Sequence, residues 1–323
     1  MGAAISAIDY YLPKKCLTNE DLASRYPGLD ENSIFKQSGV RKRYVAGYDE
    51  APSDMAVVAA KKLLDSGCVS SSDIDGLIFC SHIPDQRSPL TSVMIHKRLG
   101  LSQRCLCLDV PGGCTGFVNA LMLAKSLIDA EGLSRILLLT AEATSWTIPQ
   151  DAVDIASIFS DGAAATLVSS AHNPSVGGFC FGVEPGGAQS LYVEGGGARN
   201  PEVSLPFGKL RMNGYEVLRL ALRYVPPLIE DILLKNSLSR DSIDLYVLHQ
   251  ASGFVLDALQ RKCDIPEEKF FRCLEDVGNT VSSTLPISLA RAVIAGRIRT
   301  GSRVMVLGFG VGFAWSGTVL RWS

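Results

Sequence analysis

Three residues that lie far apart in the chain have side chains suited to thioester chemistry: Cys114, His249 and Asn279. Cys114 follows the apolar segment 106–110 and a Pro-Gly-Gly turn, and it stands directly before a long apolar run that predicts a buried helix. A thiol at a helix N-terminus feels the positive end of the helix dipole, which predicts a lowered pKa and a nucleophile. The alternative is a buried structural cysteine, the usual state of this residue type.

The other two residues have equally ordinary alternatives. His249 follows the apolar segment 245–248, where a histidine is often a hydrogen-bonded core residue, and Asn279 precedes an apolar helix, where an asparagine is often a cap. Asn279 nevertheless stands in the second half of the chain where Cys114 stands in the first. If the two halves are symmetric, all three side chains meet in one pocket. Cysteine would then accept an acyl group, while neutral histidine and asparagine stabilise the enolate formed as a malonyl thioester loses carbon dioxide.

A glycine-rich turn near the C-terminus, Gly308-Phe-Gly-Val-Gly-Phe-Ala-Trp, completes the predicted site. Its backbone N–H groups, that of Val311 among them, can form an oxyanion hole together with the N–H of Cys114. A tight connection between two strands is the structural alternative and is compatible with that role. The same glycines could hint at a dinucleotide site, but no helix follows them, so we exclude that site.

The elements that must position these residues occur twice. Residues 71–82 and 240–251 each contain a polar turn, an Ile-Asp step and a buried strand. An apolar helix, a turn ending in Ser-Arg and an apolar strand then follow in each half, at 114–130 and 136–140 and again at 279–295 and 304–307. Helices that are apolar on nearly every face lie between layers. The sequence therefore predicts an α/β fold with duplicated halves in a five-layer α/β/α/β/α sandwich.

We assign residues 1–171 to the half that carries the nucleophile and residues 172–323 to the half that carries His249 and Asn279. A length of 323 residues is comfortable for two such units. Residues 184–211 are rich in glycine and proline and interrupt the pattern. We predict that they form an irregular excursion near the substrate entrance.

Composition excludes several classes of protein. Hydrophobic residues make up 47% and charged residues 20% of the chain, which excludes a disordered protein, and a net charge of -2 argues against a nucleic-acid binder. We expect no signal peptide and no membrane span. Nine cysteines without framework spacing predict a reduced, cytoplasmic protein. Cys105 and Cys107 lack a second pair at zinc spacing, so we expect no metal site and no cofactor besides the thioester substrates.

Six short motifs follow one another in the order known from one family. They are Ser38-Gly-Val-Arg-Lys-Arg, Gly113-Cys-Thr-Gly-Phe, Phe159-Ser-Asp-Gly-Ala-Ala-Ala, His249-Gln-Ala, Gly278-Asn-Thr and the turn that starts at Gly308. On these motifs the chain resembles the thiolase superfamily and, within it, the β-ketoacyl-acyl-carrier-protein synthase III (KAS III) branch. The resemblance implies the thiolase fold, the Cys114, His249 and Asn279 triad, and a homodimer that pairs through the segment 105–110. It also implies acyl transfer from CoA to Cys114, followed by condensation with malonyl-ACP.

Where the chain departs from the family, the substrate entrance changes. Ser33, Gln37 and Val153 stand where housekeeping members carry a tryptophan and two arginines around the CoA adenine. Ser88 replaces a phenylalanine gate that the family contributes across the dimer. Phe254 replaces an arginine associated with carrier docking. Other basic positions that the resemblance associates with carrier docking are retained at Arg219, Arg261 and Lys262. The alternative is that these three residues are ordinary solvated charges.

These observations lead to one main prediction. We predict that the chain is a KAS III-like condensing enzyme of specialised metabolism. Its acyl donor is an acyl-CoA or acyl-ACP whose acyl group is longer or less usual than acetyl. One alternative is an acyltransferase that moves the acyl group from the same cysteine to a hydroxyl or an amine. A second alternative is an inactive subunit of a heteromeric synthase. Such subunits usually lose the nucleophile, whereas all three residues of the triad are present here.

Overall fold

The computed structural model describes residues 1–26, 28–201 and 207–322. Its strands are β1 Gly2–Tyr11, β2 Cys16–Thr18, β3 Lys42–Tyr44, β4 Gly76–Cys80, β5 Leu106–Val110, β6 Arg135–Glu142, β7 Gly162–Ala171, β8 Cys180–Val183, β9 Leu191–Glu194, β10 Lys209–Met212, β11 Leu245–Leu248, β12 Arg303–Gly310 and β13 Ala314–Arg321. Its α-helices are α1 Asn19–Ala23, α2 Glu31–Ser38, α3 Pro52–Asp65, α4 Thr91–Leu99, α5 Gly116–Glu131, α6 Val153–Ala156, α7 Gly214–Lys235, α8 Gly253–Lys262, α9 Leu274–Val277 and α10 Thr284–Ile294.

The two main sheets repeat one pattern. The first has the order β1-β7-β6-β4-β5 and the second the order β8-β13-β12-β11. Starting from β1 or β8, two antiparallel pairings are followed by a parallel one in both sheets. Strand β5 extends the first sheet by a parallel pairing with β4, and an isolated parallel bridge between Tyr246 and Phe270 takes the corresponding place beside β11. The predicted duplication is therefore present.

Helices α5 and α10 fill the space between the sheets. Phe117 of α5 and Leu285 of α10 are fully buried in one core together with Ile136 of the first sheet and Val306 of the second. In a second core, α3 and α4 pack against the outer face of the first sheet. In a third core, α7 and α8 pack against the outer face of the second sheet. The predicted five-layer sandwich is confirmed. The division into units 1–171 and 172–323 stays a prediction.

The two central helices begin later than predicted. Helix α5 starts at Gly116, two residues after Cys114, and α10 starts at Thr284 after a 3₁₀ turn at Val281–Ser283. The delay in α10 has a local cause, because the side-chain oxygen of Asn279 accepts a hydrogen bond from the Val281 N–H at 2.9 Å. Such a side-chain contact offers the backbone an alternative to the helical hydrogen bond.

The excursion at 184–211 is more regular than predicted. A 3₁₀ turn at Pro185–Ser190 leads into β9, which pairs antiparallel with β10 from Leu191–Met212 to Glu194–Lys209. The prediction of an irregular segment was wrong because glycines were taken as a sign of irregular structure, whereas here they flank a hairpin. Residues 202–206 of the excursion lie outside the described residues. Among the described helices, none combines the length and the apolar character needed to cross a membrane.

Candidate active site

Cys114 lies between β5 and α5 and is 3% exposed. The glycine-rich turn after β12 packs directly against it. A Cβ atom at Gly308 would lie 2.7 Å from the Cys114 carbonyl oxygen, and one at Gly310, whose φ is +149°, would lie 2.7 Å from the Cys114 sulfur. Such contacts are too close for any side chain, so the turn needs glycine at both positions to approach the candidate nucleophile.

The protonation state of Cys114 differs from our prediction. Burial raises the pKa of the thiol to about 12, and the N–H groups of Val311 and of Cys114 itself oppose this by donating toward the sulfur. The prediction of a lowered pKa was wrong because the effect of a helix terminus is small beside the loss of solvation at a buried sulfur. The two N–H groups are nevertheless those of the predicted oxyanion hole, and both point toward the sulfur of the candidate nucleophile.

His249 follows β11, and its backbone N–H donates to the carbonyl of Leu307 at 2.8 Å. Its ring meets Phe309 edge-on, with ring centres 5.6 Å apart. Burial lowers the pKa of His249 to about 3, so the imidazole is neutral near pH 7. A neutral imidazole carries one N–H donor and one acceptor nitrogen, and the partner of Nδ1 decides which is which.

That partner is Thr284, the first residue of α10, which our sequence analysis did not identify. Its hydroxyl oxygen lies 2.7 Å from Nδ1 of His249 and 3.0 Å from the carbonyl oxygen of Val281. The hydroxyl has one proton and can donate to only one of them. If it donates to His249, then Nε2 carries the ring proton. If it donates to Val281, then Nδ1 carries the ring proton and Nε2 is a base.

Asn279 is held from both sides. Its backbone N–H donates to Ile158 and its carbonyl accepts from Ser160, both at 2.9 Å. Its side-chain oxygen accepts from Val281, and Nδ2 donates to the carbonyl of Ala251 at 3.1 Å. The amide has two N–H donors, and among the described residues only one of them has an acceptor. The second is available to a ligand.

One cavity of about 450 Å³ joins Cys114, His249 and Asn279. Apolar side chains form most of its remaining wall, and they include Ile158, Phe159, Leu191, Met212, Val217, Leu218, Val255 and Phe309. Leu191 and Met212 come from the β9–β10 hairpin, so the excursion does line the pocket, as expected. The volume is within the usual range for a small-molecule site.

A buried carboxyl group stands behind the site. Glu142, at the end of β6, accepts a hydrogen bond from the Ser282 hydroxyl at 2.7 Å and one from the His82 N–H at 3.2 Å. Burial raises its pKa to about 8, so the group is largely neutral at pH 7. Sequence reasoning missed it, although a glutamate that ends an otherwise apolar strand was the available signal.

Comparison with known proteins gives this arrangement its context. Sequence profiles of 3-oxoacyl-[acyl-carrier-protein] synthase III match residues 108–185, and profiles of its C-terminal part match residues 233–322. The beta-ketoacyl-[acyl-carrier-protein] synthase III of Methylococcus capsulatus is 33% identical, over 97% of this chain and 96% of the relative. The chain belongs to the KAS III family.

Solved structures agree on the fold. A crystal structure of 3-oxoacyl-(acyl-carrier-protein) synthase III superposes with a TM-score of 0.97, is 37% identical and covers all of both chains. The priming β-ketosynthase of the R1128 polyketide pathway superposes with a TM-score of 0.92 at 26% identity, over 99% of this chain and 96% of that one. The predicted thiolase fold is therefore confirmed.

The entrance of this KAS III chain lacks a stacking site for adenine at the positions that we singled out. The Ser33 hydroxyl donates to the carboxylate of Asp30, the N-cap of α2, at 2.6 Å. Val153 does not line the cavity, although its neighbour Asp154 does. Gln37 lines the cavity and is exposed. No aromatic ring or arginine replaces the missing groups at these three positions.

Two aromatic residues do stand at the rim. Tyr215, at the start of α7, is 76% exposed, and Phe254, at the start of α8, is 59% exposed. Both line the cavity, as does the exposed Lys36. Exposed rings at the entrance of a pocket indicate a surface that contacts a ligand or a partner. Our sequence analysis noted Phe254 only as a lost arginine and did not identify Tyr215.

The remaining predicted positions lie farther from the triad. Ser88 is exposed and does not line the cavity of its own chain. Arg219 lies one turn from Tyr215 and is paired with Glu216, at 2.6 and 2.8 Å. Arg261 and Lys262 are exposed in the last turn of α8, ~10–12 Å farther along the helix axis than Phe254.

Proposed function

We propose that this KAS III-family protein is acylated on Cys114 and condenses the acyl group with a malonyl or β-ketoacyl thioester. The observation that carries the proposal is a pair of uncharged hydrogen-bonding groups, His249 and Asn279, buried in the same cavity as a buried thiol. A site built for condensation needs donors that do not lose or gain a proton near pH 7.

The first half-reaction transfers the acyl group. The Cys114 sulfur attacks the donor carbonyl, the bond from that carbonyl to the donor sulfur breaks, and the proton of Cys114 leaves with the donor thiol. The raised pKa of Cys114 does not block this exchange, because one thiol proton is lost and one is gained. The N–H groups of Cys114 and Val311 would hold the carbonyl oxygen as it becomes negative.

The second half-reaction forms a carbon–carbon bond. The malonyl carboxylate leaves as carbon dioxide, and its electron pair becomes an enolate whose oxygen receives hydrogen bonds from Nε2 of His249 and Nδ2 of Asn279. The enolate carbon attacks the acyl-Cys114 carbonyl, and the cysteine sulfur leaves and regains a proton. This role for His249 requires that Thr284 donate to Nδ1, which is the shorter of its two contacts.

We further propose a donor longer than acetyl. The cavity wall is mostly apolar, and Gln37 lines its entrance. With Ser33 and Val153, Gln37 takes the place of the groups that the resemblance assigns to adenine binding. Lost stacking and cation–π contacts of roughly 0.5–2 kcal/mol each weaken CoA binding. An acyl chain in the apolar cavity, or a carrier protein outside it, would restore affinity.

A homodimer and a carrier partner are part of the proposal. Strand β5 is at an edge of its sheet, and apolar residues near it are more than a third exposed: Leu90, Val93, Met94 and Leu106. A second copy pairing at this edge would cover them and would bring Ser88 toward the partner's pocket. Sedimentation at micromolar concentration tests this, and a monomer would contradict it. We place the protein in the cytoplasm, where its free cysteines remain reduced.

Carrier docking is proposed for Arg219, Arg261 and Lys262, which are exposed on α7 and α8. Charge reversal of Arg261 should raise the KM for an ACP substrate and leave that for a CoA substrate unchanged. Equal effects on both substrates would contradict docking at this position.

Acyl transfer to a hydroxyl or amine is the second candidate. The 3.0 Å contact between Thr284 and the Val281 carbonyl favours it, because Thr284 donating there leaves Nε2 of His249 as a base. The inactive-subunit alternative has no such support, since the cavity joins all three members of the triad.

The test separates the two half-reactions. Intact-protein mass spectrometry follows acylation by acetyl-CoA, octanoyl-CoA and octanoyl-ACP, and release of carbon dioxide from malonyl-ACP follows the second step. We expect Cys114→Ala to form no adduct, and His249→Ala and Asn279→Ala to acylate but to lose decarboxylation by about 10²–10³-fold. Exposed His172→Ala is the matched control.

Three outcomes would overturn parts of the proposal. An adduct that persists in Cys114→Ala would exclude that nucleophile. A wild-type protein that acylates but never releases carbon dioxide would favour the acyltransferase. A best rate with acetyl-CoA at low KM would make the protein an ordinary initiating synthase.

A further inference from the structure

A second group of reactive side chains lies away from the active site. His96, on α4, lies close to Cys105, which directly precedes β5, and to Cys107, the second residue of β5. One ring nitrogen and the two sulfurs all lie within 4.8 Å of one another. In the described part of the chain, this is the only place where three side chains of metal-binding type come so close.

The fold brings the three together in a simple way. Cys105 and Cys107 are two residues apart at the beginning of a strand, so their side chains lie on the same face of the sheet. Helix α4 covers that face, and Asp109 fixes its N-terminus by accepting hydrogen bonds from the N–H groups of Thr91 and Ser92 at 2.7 and 2.8 Å. The last turn of α4, which contains His96, therefore lies beside the start of β5.

The hydrogen bond of His96 suits a ligand. Its Nε2 lies 2.8 Å from the carbonyl oxygen of Ser102, and a carbonyl can only accept, so Nε2 is the donor and Nδ1 is the nitrogen left to bind a metal. A backbone carbonyl that holds the second nitrogen of a histidine is the common outer partner in metal sites.

The sulfurs and their surroundings also suit a cation. Among the described residues, the hydrogen-bond acceptors of the two thiols, apart from each other, are backbone carbonyls at 3.7 and 3.9 Å. The carboxylates of Asp75, near Cys105, and of Asp109, near Cys107, place negative charge beside the two sulfurs, and this charge favours a bound divalent ion.

We propose that His96, Cys105 and Cys107 bind one zinc ion, with water in the fourth position. Two thiolates and an imidazole are typical zinc ligands, and softer donors of this kind disfavour magnesium and calcium. Our sequence analysis excluded zinc because Cys105 and Cys107 lack a second cysteine pair. The proposal differs because a third ligand, His96, comes from a helix and stands nine residues before Cys105.

The ion would have a structural role. It would join α4, which begins three residues after Ser88, to β5, which ends four residues before Cys114. Binding would release the protons of both thiols to the solvent and would stabilise the folded state by mass action. The proposal does not depend on the condensing activity, because none of its three ligands lines the active-site cavity.

The experiment measures metal content and spectrum in the full-length protein. All variants carry Cys114→Ala, so that the candidate nucleophile cannot compete for metal. Proteins loaded with zinc and dialysed are analysed for bound zinc, and cobalt-loaded samples for the absorption that reports thiolate ligands. We expect about one zinc per chain and a thiolate-to-cobalt band. Both should be lost in Cys105→Ser/Cys107→Ser and kept in the control Cys16→Ser/Cys68→Ser, whose cysteines are exposed.

A milder variant guards against misfolding. His96→Gln removes one ligand and should weaken zinc binding at least about tenfold, with an unchanged circular dichroism spectrum. Zinc should raise the Tm of the background protein and of the cysteine control but not that of the double variant. The proposal is overturned if the background protein retains no zinc, or if the double variant retains as much as the control.

Discussion

The floor and the entrance of the cavity differ in how much of the KAS III pattern they keep. At the floor, Cys114, His249 and Asn279 are all buried. Backbone hydrogen bonds hold His249 and Asn279, and the glycine-rich turn packs against Cys114. At the entrance, Gln37, Tyr215 and Phe254 are exposed and have few fixed partners. The floor has the three residues that the resemblance assigns to the chemistry, while the entrance lacks the aromatic and cationic groups that the resemblance places around adenine.

The difference indicates which part of the molecule sets the reaction and which sets the substrate. A buried polar group must have its hydrogen bonds satisfied, so a change at the floor disturbs both packing and chemistry. A change at the entrance alters only what is bound. We therefore expect substitutions at the floor to have the largest effects and substitutions at the entrance to change substrate preference.

Outside the triad, the largest effect is expected where the glycine turn meets the candidate nucleophile. Gly310→Ala places a Cβ atom 2.7 Å from the Cys114 sulfur and should displace it, at a cost of about 1–3 kcal/mol, or roughly tenfold to hundredfold in acylation rate. Gly301→Ala is the matched control, because Gly301 also has a positive φ but its Cβ would meet open space. Equal acylation rates in the two variants would show that the turn does not position the thiol.

A smaller effect is expected one contact away, at Thr284. Thr284→Val removes the hydroxyl that faces Nδ1 of His249 and should slow decarboxylation about tenfold, leaving acylation intact. Thr284→Ser keeps the hydroxyl and should restore the rate. With only four histidines in the chain, ¹⁵N NMR can report the tautomer of His249 directly.

The NMR result also separates the two candidate functions. A proton on Nε2 in the wild type supports condensation, whereas a proton on Nδ1 supports a general base and acyl transfer. If Thr284→Val leaves both the rate and the tautomer unchanged, then Thr284 has only a structural role.

At the entrance, the expected change is one of preference. Gln37→Arg restores a cation beside the predicted adenine position and should strengthen CoA binding a few-fold, at about 0.5–1 kcal/mol. The KM for acyl-CoA should fall, and kcat should remain unchanged. Asn32→Arg adds the same charge on α2 at an exposed position outside the cavity lining and is the control. An equal fall in KM for both variants would indicate general attraction of the CoA phosphates instead of a contact with adenine.

The smallest effect on activity near pH 7 is expected for Glu142→Gln, but this variant should change how stability depends on pH. The folded pKa of Glu142, about 8, lies above its ordinary value of 4.5, so the folded state binds the proton more tightly. This contribution to stability is fully present below pH 4.5 and is lost as the pH rises through 8. The Tm of the wild type should therefore fall more steeply than that of Glu142→Gln between pH 6 and 9. Parallel curves would contradict the raised pKa.

Sequence reasoning succeeded where the signal was local or repeated. The order of elements around Cys114 and around Asn279 is visible as a repeat, and this predicted both the layers and the meeting of the two halves. It failed where the outcome depends on distant packing. The raised pKa of Cys114 results from burial by the turn at Gly310, about 200 residues later in the chain.

The sequence also did not predict contacts between residues that belong to no common motif. In the sequence, Thr284 is an ordinary threonine at the start of a helix, and only the fold places it beside His249. His96 lies in a helix that is otherwise ordinary, and only the packing of α4 on β5 brings it to the two cysteines. In both cases the sequence shows the residue type, but it does not show which side chains that residue contacts.

The central layer has a consequence for how the molecule holds together. Helices α5 and α10 contribute to one core with the inner faces of both sheets, so neither half can bury its inner face alone. Two fragments expressed separately would each expose a sheet lined with leucine, isoleucine and valine, and would need each other to fold. The halves should therefore unfold in a single cooperative transition, and the catalytic centre should disappear at the same temperature as the fold.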